Sequence, residues 1–253
     1  MTQADILTYH AIAEGRSPIR VAPALFAAQM EWLAKNARVA PLGEVVEAIV
    51  ERRPLPARTV VLTFDDGFLD FHAAAAPVLR RLKLPATVFL PTAWLGKTNA
   101  WPGQPAWVEP QPLMSWEQVR ELAEQGIVFG GHSVSHPSLT DIPGAEMERE
   151  VRECRDAIES VTGRPCDFFC YPYGRWKDSV RTAVKRHYRG ACSTIAAVAG
   201  ANSDPFTLPR VDAHYVRSPA LFRAMFSPLF RGYIGARRFI RRLRGQPEGG
   251  YPG

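Results

Sequence analysis

Cysteine is scarce and scattered in this chain. Cys154, Cys166, Cys170 and Cys192 are the only four, and no two of them form a C-x-x-C pair. Such spacing offers neither a disulfide framework nor a thiolate zinc site. The four read as buried thiols, with Cys154 on the packing side of a helix. Long apolar runs are missing as well: no stretch of about 18 uninterrupted apolar residues is present to span a bilayer. The N-terminal Met-Thr-Gln-Ala-Asp-Ile-Leu-Thr-Tyr-His lacks the basic-then-apolar pattern of a signal peptide. Together these absences point to a cytoplasmic protein. No G-x-S-x-G follows a strand-like segment, which disfavours an α/β-hydrolase nucleophile. Lysine, aspartate and glutamate are absent from residues 213–247, which nevertheless hold eight arginines (217, 223, 231, 237, 238, 241, 242 and 244). Taking those eight charges from the net +6 leaves −2 for the rest. The body is therefore nearly neutral, and the basic character belongs to the tail.

What is present fits one large core. The chain has 253 residues, 46% hydrophobic and 22% charged, ordinary values for a globular protein of single-domain size. Ile6–Tyr9 reads as an apolar strand that delivers His10 at its end. Helical spacing of apolar groups follows over 22–36, with Pro23 suited to the first turn, and again from Leu42 to Arg53, before Pro54 and Pro56. Thr59–Thr63 reads as a strand buried on both faces. Phe71–Lys83 is helical and Ala86–Leu90 is another buried strand. Ser115 and Gln118 make a capping box for a helix ending near Gln125. Ile127–Phe129 is the next strand. A charged helix spans 145–162, Phe168–Tyr171 is a strand, 178–186 a helix, 188–194 is extended, and Leu208–Asp212 is strand-like. This alternation predicts an α/β fold with parallel strands and right-handed crossovers. Residues 92–114 interrupt the rhythm with four prolines and three tryptophans, Trp94, Trp101 and Trp107. So long a loop, rich in rings, is either a wall of a sugar-binding cleft or a segment pinned to the core by its tryptophans.

Two features carry chemistry. At the end of the Thr59–Thr63 strand stand adjacent acids, Asp65 and Asp66, before Gly67. Neighbouring side chains there can face different tasks, one holding a metal and the other free as a base, although an Asp-Gly turn alone would read the same way. After the Ile127–Phe129 strand comes Gly130-Gly131-His132-Ser133-Val134-Ser135-His136. Two histidines four apart can share one metal if a compact loop gathers them. In a parallel α/β sheet the strand C-termini lie at one end, so Asp66, His132 and His136 can form a His₂Asp site. Three protein ligands leave a position open, which is the catalytic pattern. His72, His187 and His214 accompany no such motif.

Thr63-Phe64-Asp65-Asp66-Gly67, His132-Ser133-x-x-His136 and Tyr171-Pro172-Tyr173-Gly174 resemble, in order, the first three motifs of the polysaccharide deacetylases, the NodB-homology group of carbohydrate esterase family 4. The resemblance covers roughly residues 5–212. It implies a distorted (β/α) barrel and metal-dependent hydrolysis of N-acetyl groups on amino sugars. It further implies that Asp66, His132 and His136 ligate a divalent metal, zinc first with cobalt or nickel as alternatives. Asp65 is then the base, and the Tyr173 backbone N–H a donor to the oxyanion. Two departures stand out. Cys170 occupies the place of the family's arginine that braces the base, and Arg210, in Leu208-Pro209-Arg210, is the candidate replacement, grouped with Tyr173 on the substrate side. The family's C-terminal strand ending in a general-acid histidine is also missing. Ile6-Leu7-Thr8-Tyr9-His10 resembles that motif moved to the front, as in the permuted branch that includes poly-N-acetylglucosamine deacetylases. His10 thereby becomes the expected general acid.

The expected organisation is a deacetylase domain over 1–215 and a basic amphipathic tail over 216–253. Residues 220–230 are expected to pack on the body. Residues 231–244 are expected to touch an anionic membrane on its inner face, and nucleic acid is not expected as a partner. The substrate implied is an N-acetylated glycan, polymeric or lipid-linked. A deformylase of a lipid-linked amino sugar and an inactive carbohydrate-binding relative are the alternatives.

Overall fold

The computed structural model describes residues 3–243. In chain order the elements are β1 (Gln3–Tyr9), α1 (Pro23–Asn36), β2 (Arg38–Val39), α2 (Leu42–Val50), β3 (Thr59–Phe64), α3 (Ala76–Leu82), β4 (Thr87–Leu90), α4 (Trp116–Glu124), β5 (Val128–Gly131), α5 (Gly144–Thr162), β6 (Phe168–Cys170), α6 (Asp178–His187), β7 (Gly190–Cys192), β8 (Ala199–Gly200), β9 (Val211–Asp212), α7 (Pro219–Arg223) and α8 (Pro228–Leu243). The α4 capping box forms: Ser115 Oγ accepts from the Gln118 N–H at 3.4 Å, and Gln118 Oε1 accepts from the Ser115 N–H at 2.9 Å. Two boundaries move from those the sequence predicts. The α2 helix stops at Val50, and Arg52 beyond it takes a left-handed φ of 54°. The helix expected over 71–83 opens with a π-helical turn, Phe71–Ala75, before α3 begins.

The strands run in the order β7-β6-β5-β4-β3-β1-β8, with β2 beside β3 and β9 beside β1. Every pairing is parallel except that of β8, a short strand the sequence pattern does not reveal. The sheet curls. Its ends are bridged by the Leu208–Asp212 segment: Leu208 pairs with Cys192 on one side, and Val211 and Asp212 pair with Leu7 and Thr8 on the other. This is the distorted (β/α) barrel that the motifs imply.

Strand β3 is buried at all six positions. Val60, Leu62 and Phe64 face the larger core, while Val61 joins the second core with Ile6, Phe89 and Phe168 and the α2 residues Val45, Val46 and Ile49. Alternation along a strand thus feeds two apolar layers at once, which is why the run is apolar throughout. Four side chains from the C-terminal region, Phe222 of α7, Met225 of the turn after it, and Phe230 and Ile234 of α8, belong to the larger core. The 220–230 stretch therefore packs on the body. Among the described residues, no helix is long and apolar enough to cross a membrane.

Candidate active site

Parallel pairing sets the site. β1 and β3 run in register, Tyr9 opposite Phe64, so the residues that follow each strand, His10 and Asp65, emerge side by side. The Asp65 N–H continues the ladder by donating to the Tyr9 carbonyl at 2.9 Å. The ends of β5 and β6 bring His132 and the Tyr171–Gly174 turn to the same end. The glycines before His132 are required by close approach. A Cβ at Gly130 would lie 2.6 Å from the Phe168 carbonyl, and one at Gly131 would lie 2.3 Å from Tyr188 Oη.

The turns that present these groups are strained. Seven described non-glycine residues have positive φ, and four of them are Asp66 (69°), Ser133 (67°), His136 (62°) and Tyr173 (58°). Such conformations cost of order 1–3 kcal/mol each and persist where surrounding contacts impose them. Asp66 therefore leaves the strand geometry, and it is the left-handed turn rather than simple alternation that parts it from Asp65. The His132–His136 loop is held by the buried Glu150 of α5. Its carboxylate accepts from the N–H groups of Val134 and Ser135, both at 2.8 Å, and from Ser135 Oγ at 2.6 Å. The sequence reading missed Glu150. The signal was there: an acid at 150 within the α5 stripe Met147, Val151, Cys154 and Ile158.

Asp66 Oδ1, His132 Nε2 and His136 Nε2 form a triangle with sides of 3.5, 3.5 and 3.3 Å. A tetrahedral ion with bonds of about 2.0–2.1 Å sets its ligand atoms about 3.3–3.4 Å apart, so the donor set fits a zinc-class cation. His132 Nδ1 donates to the Cys170 carbonyl at 2.7 Å, which fixes the tautomer that leaves Nε2 free to ligate. His136 is held differently. Its ring stacks on Trp101 at 4.2 Å and meets the Tyr173 ring edge-on at 4.8 Å, while its buried Nδ1 has no hydrogen-bond partner among the described residues. Burial pushes the Asp66 carboxyl up, but the two histidines outweigh it and hold the group well below the carboxylate range.

Asp65 is occupied otherwise. Arg210, itself buried, spends all five of its N–H donors internally. They go to Asp65 Oδ1 (2.8 Å) and Oδ2 (2.7 Å), Thr63 Oγ1 (3.1 Å), the Ser193 carbonyl (2.8 Å) and Cys170 Sγ (3.0 Å). This corrects the grouping of Arg210 with substrate-side residues. It lines the cleft, but its donors are saturated by the protein, so it braces Asp65. Burial raises the Asp65 carboxyl and the Arg210 charge more than reverses this, leaving it below its ordinary value and ionised. Burial also pushes the Cys170 thiol up to about 11, so the sulfur beside Arg210 is a neutral thiol. Asp65, His132 and Cys170 also cluster, but Arg210 already claims the Asp65 oxygens and would repel a cation there. His10 Nε2 lies 3.8 Å from Asp65 Oδ2.

All seven of the predicted site residues line one cleft of about 410 Å³. The proline- and tryptophan-rich segment both lines the cleft and is pinned to the body. Trp101 and Trp107 line the cleft, Trp107 at an exposed rim. Trp94 donates from its indole N–H to the Ser135 carbonyl at 3.0 Å, which pins the segment to the histidine loop. His72 and His187 pair with Glu121 and Glu148 on helices, and neither they nor His214 join the cluster.

A family profile of polysaccharide deacetylases matches residues 52–189. The Bacillus subtilis protein YxkH, named for the same family, is 26% identical over 208 residues, 81% of this chain and 70% of that protein. The Escherichia coli K12 poly-β-1,6-N-acetyl-D-glucosamine N-deacetylase is 32% identical over 110 residues, 40% of this chain but only 15% of that protein. Among solved structures, the Streptococcus pyogenes deacetylase PplD in complex with acetate superposes with a TM-score of 0.72 at 25% identity, covering 83% of this chain and 92% of that one. IcaB from Ammonifex degensii shares the fold with a TM-score of 0.74 at 22% identity, covering 91% and 98%.

Proposed function

The chain belongs to the polysaccharide deacetylase family, and from that premise we propose that it is a metal-dependent hydrolase that removes N-acetyl groups from an amino-sugar-containing polysaccharide or lipid-linked glycan. One observation carries the reading: a three-ligand triangle with ion-sized edges lies beside an arginine-braced carboxylate that faces a histidine. Residues 1–215 form the catalytic domain, with 216–253 as an appended tail, of which 244–253 lie outside the described residues.

Asp66, His132 and His136 would hold the metal, with zinc the best match to two imidazoles and a carboxylate. When bound, the metal supplies Lewis acidity toward the acetamide carbonyl and lowers the pKa of the attacking water. Asp65 takes the water's proton, since Arg210 pairs with both of its oxygens and keeps the carboxylate ionised and off the metal. The Tyr173 backbone N–H donates to the carbonyl oxygen as it gains charge, a contribution of roughly 2.7–4 kcal/mol per donor. His10 gives a proton to the departing nitrogen, so that the free amine rather than its anion leaves. The exposed Trp107 ring at the rim of the cleft suits the CH face of a pyranose ring.

The test separates binding from turnover. Asp65→Asn should retain metal and lose acetate release from N-acetylglucosamine oligomers, whereas His132→Ala should lose metal. An active Asp65→Asn enzyme would remove Asp65 from the role of base, and a His132→Ala protein that keeps its full metal content would sink the ligand set.

A further inference from the structure

Helix α8 has two apolar faces, and only one of them is covered. Phe230 and Ile234, four residues apart, point into the core and are buried. The helix is fixed in that orientation by polar contacts. Arg231 grips the buried Asp5 carboxylate of β1 at 2.5 and 2.9 Å. Arg237 lies over the Tyr215 ring at 4.3 Å and donates to Tyr233 Oη at 3.0 Å. At 100° per residue, Leu229, Ala236 and Ile240 fall within about 40° of one another, with Phe239 on their flank, on the side away from Phe230 and Ile234. All four are exposed. Leu229 is 85% exposed, Phe239 62% and Ile240 47%, three of the six exposed large hydrophobic residues described. Single apolar residues on a surface need no explanation, but a row of them on one helix does.

Charge narrows what covers that row. The segment around it, residues 213–247, contains eight arginines and no aspartate or glutamate. A second copy of this chain would bring arginine against arginine with no acid between them, so self-association is opposed. A nucleic acid would satisfy the arginines and leave Leu229, Phe239 and Ile240 in water. An anionic bilayer satisfies both. The apolar side chains enter the acyl boundary, while the positive charge of the segment, which holds no acid of its own, is drawn to the lipid phosphates. We infer that the outward face of α8 is a docking surface for an anionic lipid bilayer, with the helix lying in the membrane plane. Its residues lie within 231–244, where the sequence points to membrane contact, joined by Leu229; Arg244 lies outside the described residues. The docked helix adjoins the cleft, because Tyr215 lines the cleft and accepts a hydrogen bond through its carbonyl from Tyr233 Oη at 3.3 Å. The inference does not depend on the catalytic reading.

The test is co-sedimentation of the full chain with vesicles of phosphatidylcholine alone, or of phosphatidylcholine with phosphatidylglycerol, at low and high salt. Binding is expected only to the anionic vesicles and should weaken with salt. The double variant Phe239→Ser/Ile240→Ser should bind them ~10-fold or more weakly, since two apolar side chains no longer leave water. Its thermal unfolding midpoint, which reports that the fold is intact, should match that of the wild type. Failure of the wild-type chain to bind anionic vesicles at low salt overturns the inference. Undiminished binding by the double variant overturns it too, because arginines alone would then account for the adsorption.

Discussion

Replacing Arg210 with methionine leaves the buried Asp65 carboxylate without its cation. The change keeps an unbranched stem of similar bulk, so little cavity forms and the loss is electrostatic. Five internal hydrogen bonds go with the guanidinium, two of them to Asp65 at 2.7 and 2.8 Å. Asp65 and Arg210 are 3% and 2% exposed, so water cannot replace what is removed. Breaking a buried pair in this way costs about 3–5 kcal/mol. That is a large share of the roughly 5–15 kcal/mol that holds a domain together, yet it leaves a measurable folded population. Chemical denaturation near neutral pH should show the midpoint falling with an unchanged slope. The loss also has a pH signature. In the wild type the folded carboxyl lies below its ordinary value, so its contribution is present above the unfolded pKa and fades as pH falls through the folded one. In Arg210→Met the effect of burial prevails and the carboxyl is raised. Its penalty is then present at neutral pH and relieved on acidification. The stability gap between the two proteins should therefore begin to shrink above about pH 4, the ordinary aspartate value, as the raised carboxyl of the variant protonates, and go on shrinking below it as the wild type loses its own contribution. The acid limb of kcat/KM should move to higher pH, because the base must be ionised to act. Asp65→Asn combined with Arg210→Met should recover part of the lost stability, since no unpaired charge is then buried. If Arg210→Met is as stable as the wild type to within about 1 kcal/mol and keeps its pH profile, Arg210 is not the brace.

Two further outcomes are expected. The Trp101 ring orients His136, whose Nδ1 has no hydrogen-bond partner among the described residues, so Trp101→Ala should bind zinc ~10–100-fold more weakly in a chelator competition, while Trp101→Phe keeps most of the affinity; equal affinity for the alanine variant and the wild type would show that the stack does not hold the ligand. Burial pushes the Asp70 carboxyl up to about 6, against the Ile12 N–H at 2.9 Å and the charge of Arg20. A raised acid contributes stability that is present below its unfolded pKa and lost as pH rises through the folded one. Asp70→Asn should therefore gain ~1–2 kcal/mol at about pH 8 and nothing at about pH 3, with the change falling between about pH 4 and the folded value of about 6. Thermal melts across that range check it, and a pH-independent difference would be evidence against it.

Much of the site was legible in the residues because its parts are local. An apolar strand, two acids and a glycine follow one another in Thr59–Gly67, and two histidines four apart follow another strand. Parallel α/β alternation then sends every strand end to one side. The resemblance added His10, whose own surroundings in the sequence single it out no more than those of His72. Contacts between distant segments were less accessible. Glu150 reaches the histidine loop from a helix 15 and 16 residues further on, and only its place on an apolar stripe hinted at this. Trp101 was legible as a ring in a long loop, yet its seat on His136 depends on how that loop folds back against β3, through the Met114 N–H to the Gly67 carbonyl.

The order of residues alone decided the α/β class, the strand ends that bear the chemistry and the basic excess of the C-terminal segment. These follow from periodicity, turn propensity and counting, all short-range properties. Tertiary structure decided which of those groups meet. The pairing of β1 with β3 set His10 beside Asp65 across 55 residues of chain. The Leu208–Asp212 segment, bridging the two ends of the curled sheet, brought Arg210 to the same carboxylate across 145. Packing of Phe230 and Ile234 into the core, with Arg231 on Asp5, chose which side of α8 faces outward. Each of these is a long-range contact, set by which strands and helices bury their apolar faces together, and no local pattern encodes it.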